Sequence, residues 1–269
     1  MATGDALIRD IDTAEVRPGS LCFWWLGQQS FVVKTADAII YLDPYLSDNA
    51  RRRTPPLLRP EQIMHADLIT GSHDHADHID RPVLPTLMAA SPPAVLIIPR
   101  AVAAGFDAVP DATERIVAID DEESVRVGQT TVTAVRAAHE HFDRHDTLGY
   151  PYLGYVIESA GVTIYHAGDT CMWEGLVSRL QRWQLTAAFL PINGRDAQRL
   201  RRGCIGNMTY QEAVDLAGAL KPEMVVPAHY DMFDDNSEDP RLFVEYLQVK
   251  YPGVRCWVGE HATRVTVTV

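Results

Sequence analysis

The chain has 269 residues, 46% hydrophobic and 22% charged, with a formal net charge of -12 at pH 7. That length can bury a sizeable core and that composition excludes a disordered chain. The acidic balance excludes a broad nucleic-acid footprint, which needs clustered cations. Cys22, Cys171, Cys204 and Cys256 are far apart and form no C-x-x-C pair, so a disulfide framework and a thiolate metal site are not expected. The opening residues MATGDALIRDIDTAEVRPGS are mixed and charged, and no apolar run reaches membrane-spanning length. The expectation is a cytoplasmic protein with reduced thiols and no membrane partner.

In chain order, residues 1–19 read as an N-terminal extension to a single domain that spans 1–269. SLCFWWLG, SFVVKT and AIIYLDP are short strands separated by turn-prone residues, and at least one of Trp24 and Trp25 should be core. NARRRTPPLLRPEQ breaks the pattern as a loop. DLITGS is a strand, RPVLPTLMAA a short helix, and AVLIIP and RIVAID two more strands. A hairpin turns near Gly128-Gln129, and a second, YLGYVIES with VTIYHAG, turns at Ala160-Gly161. GLVSRLQRW reads as helix and AAFLPI as strand. TYQEAVDLAGALKP is a helix opened by a capping box of Thr209 and Glu212 and closed before Pro222. MVVPAHY is a strand, Asp239-Pro240 opens a last helix, and CWVG and TRVTVTV close the chain as strands. The order predicts sheets faced by helices, without separating one such layout from another.

Residues 71–80 read GSHDHADHID, directly after an apolar strand. Imidazole nitrogens and carboxylate oxygens are good ligands for divalent zinc, manganese or iron. His73 and His75 are two apart and can converge, whereas the adjacent Asp77 and His78 point in different directions, so one loop can feed two ions. The plain alternative is a solvated charged turn, which the density of the motif disfavours. Further donors must come from other strand ends. His139 follows TVTAVRAA, Asp169 follows VTIYHAG with Gly168 allowing a tight turn, and His229 follows MVVPA.

H-x-H-x-D-H, then a lone His, then Gly-Asp after a strand, then a late His, resembles the metallo-β-lactamase superfamily over roughly residues 20–260. The resemblance implies an α+β fold, an αββα four-layer sandwich, with two divalent ions at the edge where strand ends meet. It assigns His73, His75 and His139 to one ion, Asp77, His78 and His229 to the other, and Asp169 to both. WWLGQQSFVVKT, YLDP, the Phe142-Asp143-Arg144 run, YHAGD, the NMT at 207–209 and PAHYDMF resemble the L-ascorbate-6-phosphate lactonase branch. His139 is a departure from that branch, a ligand it lacks.

The implied activity is a metal-dependent hydrolase in which a hydroxide shared by two ions opens a small, phosphorylated or otherwise anionic, lactone or ester. Asp77 is the expected proton acceptor and later donor, and Asp43 is expected to orient a ligand imidazole. His166 is expected to support the site or pack beside it rather than bind a metal. Arg195, Arg199, Arg201 and Arg202 follow the strand AAFLPIN and are candidates for phosphate, Arg195 first because it comes directly after the strand, whereas Arg51, Arg52 and Arg53 read as solvated loop charges. His141 and His145 are candidates for substrate contact, with an exposed loop position the plain alternative. His65 and His261 carry no motif and read as surface residues, and Cys171 as a small buried thiol. A phosphodiesterase on the same scaffold and a metal-binding sensor without catalysis are the rival functions. The sequence is compatible with a homo-oligomer.

Overall fold

The computed structural model describes residues 2–109 and 111–269. Apolar, β-branched and aromatic runs make two mixed sheets. The first contains β1 (Ser20–Gly27), β2 (Ser30–Lys34), β3 (Ile39–Leu42), β4 (Leu68–Thr70), β5 (Val95–Pro99) and β6 (Ile116–Ile119). The second contains β7 (Ser124–Val127), β8 (Thr130–Arg136), β9 (Leu153–Ser159), β10 (Val162–His166), β11 (Ala187–Pro191) and β12 (Met224–Ala228). The last strand, β13 (Val265–Thr268), returns to the first sheet, giving the orders β13-β1-β2-β3-β4-β5-β6 and β12-β11-β10-β9-β8-β7. Both expected hairpins are present, with Val127 paired to Thr130 and Ser159 paired to Val162. CWVG is not a strand. Only Cys256 bridges, to Val225, and the chain then leaves the sheet.

The helices are α1 (Asp5–Thr13), α2 (Leu84–Ala90), α3 (Ala112–Arg115), α4 (Leu176–Leu180), α5 (Ala197–Arg201), α6 (Tyr210–Leu220) and α7 (Pro240–Lys250). α6 begins as its sequence predicts, with Thr209 Oγ1 accepting from Glu212 N and Glu212 Oε2 accepting from Thr209 N. None of the described helices is long and apolar enough to cross a membrane.

The period-two alternation of β1 sorts its side chains between two cores. Leu21, Phe23 and Trp25 join the cluster between the sheets, while Cys22, Trp24 and Leu26 join the cluster on the other face of the first sheet. Both tryptophans are therefore buried. This second core is closed by α1 and α2, which contribute Leu7, Ile11, Leu84, Leu87 and Met88. Outside the second sheet, α4 and α7 each pack on α6, and α6 rests on β11. The layers run helix, sheet, sheet, helix, as the resemblance implies.

α1 falls within residues 1–19, where the sequence reads as an extension. Its apolar face is only Leu7, Ile8 and Ile11, too short to stand out among charges. It is held by polar contacts that no local pattern announces. Trp24 Nε1 donates to Asp10 at 2.7 Å and Lys34 Nζ donates to the Ile11 carbonyl at 2.8 Å. Asp12 accepts from His65 Nδ1 at 2.6 Å, and the other nitrogen of that ring meets Tyr41 Oη at 2.8 Å. His65 is thus a tie between helix and sheet, not the surface residue expected. Ile11 is fully buried. Ile11→Ala should cost about 2–5 kcal/mol of unfolding free energy, and urea denaturation of the folded protein measures it.

Candidate metal centre

The site follows from strand direction. β8 runs antiparallel to β9 and β9 antiparallel to β10, so β8 and β10 point the same way, and β11 and β12 run parallel to β10. Their carboxyl ends share one edge of the second sheet. His139 lies just past β8, Asp169 past β10 and His229 past β12. The loop after β4 of the facing sheet brings His73, His75, Asp77 and His78 to the same edge.

There the donors form two sets, His73 with His75, His139 and Asp169, and Asp77 with His78 and His229. Within each, the candidate ligand atoms lie within 4.8 Å of one another. Asp169 spans the sets. Its Oδ1 is 3.4 Å from His78 Nε2 and 3.2 Å from His229 Nε2, and its Oδ2 is 3.7 Å from His139 Nε2. Asp77 Oδ2 lies 3.5 Å from His229 Nε2 and 3.7 Å from His78 Nε2. His73 Nε2 and His75 Nδ1 are 2.9 Å apart.

The outer ring nitrogens of His78 and His139 are tied back, which leaves their inner ones for the site. His78 Nδ1 donates to Asp43 Oδ2 at 2.7 Å, and the same carboxylate accepts from the hydroxyl and the N–H of Ser72 at 2.5 and 3.0 Å. His139 Nδ1 donates to the Gly206 carbonyl at 3.0 Å. His166 Nε2 donates to the Gln29 carbonyl at 2.9 Å, and Gln29 Nε2 donates to the Gly168 carbonyl at 3.3 Å. His166 thus steadies the turn that carries Asp169 and touches neither donor set through a hydrogen bond. Gly168 has φ +57°, and an added Cβ would sit 2.7 Å from Ser72 Cβ and 2.8 Å from the Leu153 carbonyl, so only glycine fits there.

Charge in this pocket is finely set. Burial, helped by the neighbouring imidazoles, lowers the pKa values of His73, His75 and His139. Burial pulls on His78 and His229 too, but Asp169 and Asp77 override it, raising His78 well above the ordinary value and His229 to about 9. Burial opposes charge on Asp169 and Asp77, yet His78 and His229 hold both well below the usual carboxylate range. His78 Nε2 and His229 Nε2 face each other at 3.3 Å, and Asp169 Oδ1 has no hydrogen-bond donor. One ring can donate to the other there, but a cation among these imidazoles and carboxylates would accept lone pairs from all of them at once, so the residues present fit divalent ions with nitrogen and oxygen ligands.

Other sequence-derived candidates lie elsewhere. Arg195 forms a fork with Glu212, two bonds of 2.7 Å, and donates to the Asn207 carbonyl at 2.9 Å. It locks the start of α6 and does not line the cleft over the donors. His141 and His145 are exposed on the loop after His139 and do not line the cleft either. His145 Nδ1 accepts from the Leu148 N–H at 3.3 Å. Cys171 is a buried thiol whose Sγ donates to the Gly206 carbonyl, and all four cysteines are free. The arginine run is not uniformly solvated. Arg52 donates to the carbonyls of Tyr45, Ser47 and Thr54, and Arg51 pairs with Asp235 at 2.6 Å on the cleft wall.

Three supports are not singled out by the sequence. Gln28, fully buried with φ +51°, donates to Asp77 Oδ2 at 3.0 Å, and its carbonyl accepts from His229 N at 3.0 Å. Asp231 accepts from Gln28 N at 3.0 Å and from His261 Nε2 at 2.5 Å, and the His261 ring packs 4.4 Å from Trp25. His261 is therefore a buttress rather than a surface residue. The Tyr152 ring lies 5.2 Å from both His73 and His139. The signal that could have found Gln28 is its place in a tight turn between two buried strands.

An αββα sandwich with paired histidine and aspartate sets at one edge defines a metallo-β-lactamase-type protein. The family model described as the beta-lactamase superfamily domain matches residues 39–230. A UPF0173 metal-dependent hydrolase of Thermococcus kodakarensis is 30% identical over 245 residues, covering 88% of this chain and 96% of the relative. The chain belongs to the UPF0173 metal-dependent hydrolases of the metallo-β-lactamase superfamily. Its fold is shared with Igni18, a metallo hydrolase from Ignicoccus hospitalis, at TM-score 0.71 and 22% identity over 92% of this chain and 98% of that one. It is also shared with CmlA, a diiron β-hydroxylase from Streptomyces venezuelae, at TM-score 0.66 and 15% identity over 95% of this chain and 55% of that one.

Two outcomes follow. A metal must displace the proton on His229, whose pKa stands at about 9 rather than near the ordinary 6.5. Zinc affinity should therefore rise with pH between 6 and about 9, as read by competition with a chromophoric chelator. Asp43→Asn weakens the tie on His78, so metal affinity should fall roughly 10- to 100-fold, with the folded circular dichroism spectrum retained.

Proposed function

We propose that this chain hydrolyses a small phosphorylated or otherwise anionic lactone or ester, with one divalent ion held by His73, His75, His139 and Asp169 and a second by Asp77, His78, His229 and the same Asp169. The observation that carries the reading is Asp169, buried between two complete donor sets with one oxygen toward each. A divalent cation held there lowers the pKa of a water to about 7 and polarises a substrate oxygen.

The chain's own residues do the rest. The three imidazoles that burial keeps neutral present lone pairs rather than protons. Asp77 has 20% of its side chain exposed against 4% for Asp169, so it is the carboxylate that reaches the cleft and can take a proton and return it to the leaving oxygen. Gln28 holds Asp77 in place. The cleft above the donors encloses about 320 Å³, the size of a sugar-like molecule rather than a polymer. Two carboxylates, Asp77 and Asp169, would face two doubly charged ions, so the loaded cleft would be positive and suit an anion. Nitrogen and oxygen donors accept zinc or manganese, and the diiron neighbour keeps iron in the set to test. The reading includes no nucleic-acid or membrane partner and allows a homo-oligomer. It places the enzyme in the cytoplasm, in keeping with four free thiols.

Elemental analysis after purification, then a panel of sugar lactones, their phosphates and bis-p-nitrophenyl phosphate with each reconstituted metal, tests the function. Turnover of the phosphodiester alone would replace the lactone reading by the phosphodiesterase one, and metal binding without any turnover would favour a sensor. Asp169→Ala should abolish hydrolysis and lower metal content together. His141→Ala should leave metal content intact.

A further inference from the structure

Arg202 lines the same cleft as the donor sets, and among the described residues its guanidinium makes no ion pair and no hydrogen bond. The other cation on that wall, Arg51, is balanced by Asp235, which also lines the cleft. Asp77 and Asp169 are committed to the metal sets. Arg202 is therefore the unbalanced charge of the cleft.

Asn236, another residue lining that cleft, is held by a chain of buried amides. Asn207 Nδ2 donates to Asn193 Oδ1 at 3.0 Å, and Asn193 Nδ2 donates to Asn236 Oδ1 at 2.8 Å. Asn193 and Asn207 are fully buried, so the chain is rigid. With Oδ1 occupied, the free donor of Asn236 is its Nδ2. The loops are fixed too. Arg199 reaches the Ser237 carbonyl at 2.5 Å, and Arg51 ties the 49–53 turn to Asp235. An exposed, unpaired guanidinium and a fixed amide donor lining one cleft are what a small oxyanion needs, because the guanidinium supplies charge and a planar fork.

We propose that Arg202 and Asn236 form the subsite that binds the anionic group of the substrate, a phosphate monoester or a carboxylate remote from the scissile bond. This moves the anion contact away from Arg195, which Glu212 occupies, and it rests on the reading of the cleft as a small-molecule hydrolase site.

The test uses the full-length, zinc-loaded protein and three ring-opened sugar acids. Gluconate has no remote anion, 6-phosphogluconate has a phosphate and glucarate a second carboxylate. Calorimetry should find at least one of the last two bound about tenfold or more tighter than gluconate, and which one identifies the anion. Arg202→Ala should bring that ratio close to one. Asn236→Asp, which keeps the shape and adds a negative charge, should bring it to one or below. Equal affinity for all three in the wild type overturns the proposal, and so does a full preference that survives in Arg202→Ala. Turnover of the gluconolactone and 6-phosphogluconolactone pair, measured alongside, addresses the reaction separately. A preference lost in Arg202→Ala without turnover of either lactone upholds the subsite and removes the lactone reading.

Discussion

Asp169 is a carboxylate held out of water between imidazoles of three strand-end loops. Burying that charge is costly, and nearby positive charge is what makes it tolerable. In the protein alone, protons on His78 and His229 supply it. Divalent ions would supply more, and would take up the lone pairs of the two facing Nε2 atoms, 3.3 Å apart. Most of the surrounding structure serves to hold this one carboxylate and its imidazoles close enough for that exchange.

The holding is done by backbone. Asp169 leaves β10 through Gly168, whose φ of +57° and crowded Cβ position admit no side chain. His229 leaves β12 at φ +59° and Asp43 leaves β3 at φ +42°, so two further site residues occupy conformations that non-glycine residues rarely adopt. Such strain persists only where the surroundings fix it. Here the fixing groups are visible. His229 N donates to the Gln28 carbonyl, Asp43 N donates to the Thr70 carbonyl, and Asp43 itself gathers Ser72 and His78. A further carboxylate, Asp80, accepts from the N–H groups of Leu46 and Ser47 and so pins the loop from which Arg51 and Arg52 extend.

Strands and caps with a strong local signature were legible in the sequence. The alternation in SLCFWWLG, the turns at Gly128-Gln129 and Ala160-Gly161, and the Thr209–Glu212 box each rest on neighbours within a few residues. α1 was not legible, because its stability comes from Trp24, Lys34 and His65, which lie outside it in the chain. CWVG was over-read, because four apolar or small residues look like a strand whether or not an edge is free to receive them. Arg195 was misplaced for a related reason. Its position after β11 pointed toward the site edge, but its guanidinium turns back to Glu212 on the next helix.

By itself the sequence determined the metal chemistry and the superfamily, because histidines and aspartates at strand ends in that spacing carry their function in residue type and order. It also marked most of the strands, since short apolar and β-branched runs between turn residues are a local property. Only the tertiary structure decided which groups meet. The convergence of four strand ends, the tie of His78 to Asp43, the support of Asp77 by Gln28 and the choice of Arg202 over Arg195 on the cleft wall all join residues distant in the chain. Contacts of that kind depend on sheet direction and loop packing, and no window of sequence contains them.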